Sequence, residues 1–62
     1  MKPFVFRVDR PEGEPLVRNR NLPSDAEAVA YARQLLNDWP ECIAVEVLQA
    51  GALVDRLRPT QS

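Results

Sequence analysis

Histidine is absent and cysteine occurs once, at Cys42, in this chain of 62 residues. A lone cysteine excludes an internal disulfide, and the lack of histidine excludes a four-ligand zinc set. The side chain that most often moves protons near neutral pH is missing too, so no Ser-His-Asp triad or Cys-His pair can be built. No apolar run approaches the roughly 20 residues of a membrane-spanning helix, and the first residues lack the apolar stretch of a signal peptide. The expectation is a cytoplasmic, non-catalytic protein that needs no metal or cofactor, has no recognisable small-molecule substrate and does not engage a membrane.

Net charge is also in short supply. Eight basic and nine acidic residues leave a net charge of −1, so attraction to nucleic acid would need a local patch. Lys2 is the one lysine; every other cation is arginine, which suits carboxylate pairing and protein interfaces as well as phosphate contact. A domain of this length buries only about 60% of the surface its unfolded chain exposes. Neither a disulfide nor a metal is at hand to compensate, so association with another chain is the natural remedy.

What is present is hydrophobic alternation. Phe4, Phe6 and Val8 alternate with Val5, Arg7 and Asp9 at the two-residue period of a strand, and the Phe face should look inward. Two prolines and Gly13 in Arg10-Pro11-Glu12-Gly13-Glu14-Pro15 reverse the chain. A polar return over residues 16–21, with Arg18-Asn19-Arg20-Asn21, reads as an edge strand. Ser24-Asp25-Ala26-Glu27 is a capping box, and Asp25 and Glu27 also complement the positive end of the helix dipole. Along the helix Ala28, Val29, Ala32, Leu35, Leu36 and Trp39 share one stripe with Tyr31 on its flank, and Pro40 ends it near Asp38. The third strand, residues 42–49, should place Ile43, Val45 and Val47 inward and Ala44, Glu46 and Leu48 outward. Ala50-Gly51 makes the second turn, and Leu53, Val54 and Leu57 are the apolar members of the last strand. Pairing Glu46 with Arg56 and Val45 with Leu57 satisfies charge and hydrophobicity together.

These elements specify one α+β domain over residues 1–62: a four-stranded antiparallel sheet, β-β-α-β-β, with one helix across one face. The most apolar strands, first and third, belong in the middle, giving spatial order 2-1-3-4. Residues 59–62 have little to bury and should fray.

Phe4-Val5-Phe6-Arg7-Val8, Leu22-Pro23-Ser24-Asp25 with its alanine-rich helix, and Ala44-Val45-Glu46-Val47 followed by Ala50-Gly51 resemble a group of short bacterial proteins of unassigned function. Those proteins open with an aromatic strand and run strand-strand-helix-strand-strand; the likeness spans about residues 4–58. The turn at residues 11–15 and the arginine-asparagine run depart from the group's acidic, glycine-bearing pattern. The resemblance implies the fold and carries no catalytic residue.

Functional candidates are therefore surfaces. Ser24 is accounted for by capping, Asp25 and Glu27 by the helix terminus, and Asp38 and Glu41 flank an exposed turn, so no acid–base pair remains. Cys42, at the start of a buried strand, reads as a small hydrophobe rather than a reactive thiol. The sheet face away from the helix gathers Val5, Arg7, Ala44, Glu46, Leu48, Val54 and Arg56, a mixture that suits an interface. A homodimer or another protein partner is expected there, or edge to edge through the last strand. The alternative is weak nucleic-acid binding, with Arg7, Arg18, Arg20, Arg56 and Arg58 converging on that face and its edge; it is disfavoured because Phe4 and Phe6 are needed inside and leave no aromatic platform.

Overall fold

The alternation that begins at Phe4 builds the centre of the sheet. The computed structural model describes residues 1–59, with β1 (Lys2–Asp9), β2 (Leu16–Leu22), α1 (Asp25–Asp38), β3 (Ala44–Gln49) and β4 (Ala52–Leu57). The sheet order is β2-β1-β3-β4, every neighbour antiparallel, and α1 lies across one face. The two strands that carry the fully enclosed large apolar side chains, β1 and β3, are thus the central pair, in the expected order.

Phe4, Phe6, Val8, Val45 and Val47 are fully enclosed. From the helix Ala28, Ala32 and Leu35 meet them, and two alanines in that stripe let the helix backbone approach the sheet closely. Tyr31 sets its ring edge-on to Phe6 at 4.7 Å, the geometry that aromatic quadrupoles favour. Ser24 caps the helix, its Oγ accepting from the Glu27 amide at 3.3 Å. At the other end Trp39 leaves helical geometry just before Pro40, while its amide still donates to the Leu35 carbonyl at 2.9 Å.

Two departures from strict alternation alter the core. Ile43 was expected to point inward, yet it is 51% exposed, while Cys42 is buried at 4%. The reason is that β3 begins only at Ala44: Ile43 sits in a bend tied by its amide to the Asp9 carbonyl, outside the pleat that would alternate it inward. Leu16 and Leu22, at the two ends of the otherwise polar β2, also pack against the core. Of the tail expected to fray, Pro59 is half-buried and residues 60–62 lie outside the described residues.

Candidate interaction face

Register decides which side chains share the face opposite the helix. Residues directly opposite in antiparallel strands project to the same side. Val17, Arg7, Glu46 and Arg56 therefore form one row across all four strands, and Asn19, Val5, Leu48 and Leu53 form the next. One row is charged from Arg7 to Arg56, and the other is apolar from Val5 to Leu53.

The charged row is alternating in sign. Arg7 Nε lies 3.2 Å from Asp9 Oδ1 and 3.9 Å from Glu46 Oε1, and Arg56 Nε lies 3.6 Å from Glu46 Oε2. The expected cross-strand pairs Glu46 with Arg56 and Val45 with Leu57 are both formed. Arg7 is about half exposed, so these pairs organise the face more than they stabilise the fold.

The apolar row has a composition that alternation alone does not foresee. β4 carries one extra residue opposite the step from Val47 to Leu48: Leu48 pairs with Leu53, Val47 pairs with Asp55, and Val54 is left between. Such a bulge resets the inward and outward parity of the strand. Val54, expected on the open face, packs instead against the core, and Leu53 takes its place at 58% exposure. Val5 at 37% and Val17 at 49% complete an exposed apolar set on this side. Ala44 belongs to the same face but offers no surface, because its methyl is fully enclosed beside the longer Arg7, Asp9 and Glu46 side chains. The seven expected residues are thus reduced to Val5, Arg7, Glu46, Leu48 and Arg56, joined by Leu53 and Val17.

Of the arginines expected on the open face and its edge, Arg18 and Arg20 lie on the edge strand β2. Arg18 and Arg20 stand opposite Phe6 and Phe4, which places them on the helix side. Arg20 there covers the Tyr31 ring, its guanidinium carbon 4.9 Å from the centroid. The patch read from the sequence is consequently divided between two faces of the sheet.

Cys42 is buried among the core residues. Desolvation by burial pushes its thiol above the ordinary range, the nearby charge of Glu41 adds to this, a backbone hydrogen bond opposes it, and the charge of Asp9 adds least. A neutral, enclosed thiol is a packing group. No group of histidine, cysteine and carboxylate side chains able to hold a metal occurs among the described residues, and no helix among them is long and apolar enough to cross a membrane.

Comparison with protein-family models, with curated proteins and with solved structures finds no match to the chain.

Proposed function

We propose that this protein is a small non-catalytic interaction module that associates with a second copy of itself through the open face of the sheet. The observation that carries the proposal is the uncovered apolar row of Val5, Leu48 and Leu53, with Val17 beside it, on a sheet whose helix covers only the other side. An apolar set rimmed by charge on an unshielded layer is the composition of a recognition surface.

A second copy fits because the charged row is self-complementary. Rotation by a two-fold axis brings the Arg7 and Arg56 guanidinium groups of one chain toward Glu46 of the other, so the same patch serves both partners. Burial there would enlarge the core available to each chain. The proposal extends to kinship with the short bacterial β-β-α-β-β proteins that the chain resembles. Nucleic-acid binding is the weaker reading, since Arg18 and Arg20 stand on the helix side of the sheet.

Sedimentation equilibrium across low to high micromolar concentration tests the reading. A mass rising toward twice 7.0 kDa is the expected result, and a mass fixed at 7.0 kDa throughout overturns it.

A further inference from the structure

A second surface adjoins the open face at Arg56 and extends to the helix side of the sheet. The C-terminal half of α1 and the end of β4 enclose an open groove of about 750 Å3, lined by Arg33, Leu36, Asn37, Pro40, Arg56, Leu57, Arg58 and Pro59. Three of these residues are arginines and none is a carboxylate, although acidic residues outnumber basic ones in the chain as a whole. Asp38 and Glu41, next in sequence to Asn37 and Pro40, do not line it. Arg56 has Glu46 as a partner; Arg33 and Arg58 have no carboxylate within 4.0 Å among the described residues. The packing of the fold thus concentrates positive charge beside an apolar floor of Leu36, Leu57, Pro40 and Pro59.

We propose that this groove binds an acidic peptide segment bearing aliphatic side chains, laid alongside β4. Charge complementarity selects the acidic groups: planar guanidinium groups match carboxylates through paired hydrogen bonds. The apolar floor selects the aliphatic ones. Among the described residues β4 is an edge strand with no neighbour on its outer side, so an extended segment can also pair with its main chain, a recurring mode of peptide recognition. A nucleic acid uses the cations but not the floor, and no aromatic side chain lines the groove to stack a base.

Fluorescence polarisation decides the matter with three labelled probes at low salt: a hexapeptide alternating glutamate and leucine, its lysine-leucine counterpart, and a single-stranded oligonucleotide. The glutamate peptide should bind and the other two should not. Arg33→Glu and Arg58→Glu should each weaken its binding tenfold or more. Both arginines are exposed, so the variants retain the fold, which circular dichroism verifies. Val17→Ala, on the opposite edge strand β2, should leave this binding within twofold. The proposal is overturned by absence of binding, by binding that survives both charge reversals, or by preference for the oligonucleotide.

Discussion

Leu53 and Val54 are adjacent apolar residues to which the bulge in β4 assigns opposite duties, and substituting each by alanine separates association from folding. Leu53 is 58% exposed in the single chain. Full burial of a leucine side chain is worth about 1.5–3 kcal/mol, so covering that exposed fraction yields roughly 0.9–1.7 kcal/mol per chain. Truncation to alanine removes most of this, and two-fold symmetry counts it twice, for a loss of about 1.5–2.5 kcal/mol per dimer. At 1.4 kcal/mol per tenfold, Leu53→Ala should raise the dimer dissociation constant roughly 10- to 60-fold, with little effect on the fold of the single chain. Val54→Ala removes two carbons that pack against the core and should cost about 1 kcal/mol of folding free energy. In a domain this small that lowers the melting temperature by about 4–8 °C. Sedimentation equilibrium reads the first quantity, and thermal unfolding at a concentration below the dissociation constant reads the second, since association adds its own stabilisation. Unchanged association of Leu53→Ala would refute the open-face interface. Equal destabilisation by the two substitutions would refute the bulge that gives them different neighbours.

Three further outcomes follow from local geometry. Ser24→Ala deletes the acceptor for the Glu27 amide and should cost about 1 kcal/mol in urea unfolding; no loss would show that the cap is dispensable. Ala50 and Gly51 both have positive φ, 53° and 80°, in a two-residue turn between Gln49 and Ala52, a conformation that asparagine tolerates better than alanine. Ala50→Asn should therefore raise stability by about 0.5–1 kcal/mol, seen as a higher melting temperature. The folded chain holds the Cys42 proton that the unfolded chain releases, because burial raises the thiol pKa. This contribution to stability is complete below the ordinary thiol pKa of about 8.5 and is lost as pH rises through the folded value. Cys42→Ala should show a shallower alkaline decline in unfolding free energy than the parent, and identical slopes would dismiss the thiol as its source.

The fold was legible because several independent signals agree on it. Phe4, Phe6 and Val8 have one period that keeps them dry, Ser24 with Glu27 marks a helix start, and Pro40 marks its end. Strand order followed from burial: β1 and β3, each with two neighbours, are the strands that carry the fully enclosed side chains Phe4, Phe6, Val8, Val45 and Val47. The candidate face was legible only as far as parity holds. Ile43 lies one residue outside the pleat, and its exposure depends on where β3 begins, which no composition encodes.

The bulge is harder still to read. Leu53-Val54 offers an apolar side chain at either parity, so one extra residue leaves the hydrophobic pattern intact while exchanging which of the two faces outward. The same ambiguity hid the arginines. In Arg18-Asn19-Arg20-Asn21 every residue is polar, and only pairing with Phe4 and Phe6 reveals that Arg20 can cover Tyr31 from the helix side. The groove has no signature along the chain at all, for Arg33 and Arg58 are brought to one place by α1 and β4 packing together. Alternation thus predicts what must be dry, because water penalises an error there by several kcal/mol. It leaves the wet surfaces under-determined, since exchanging two exposed side chains costs little, and both proposed binding surfaces are built largely from exposed side chains of that kind.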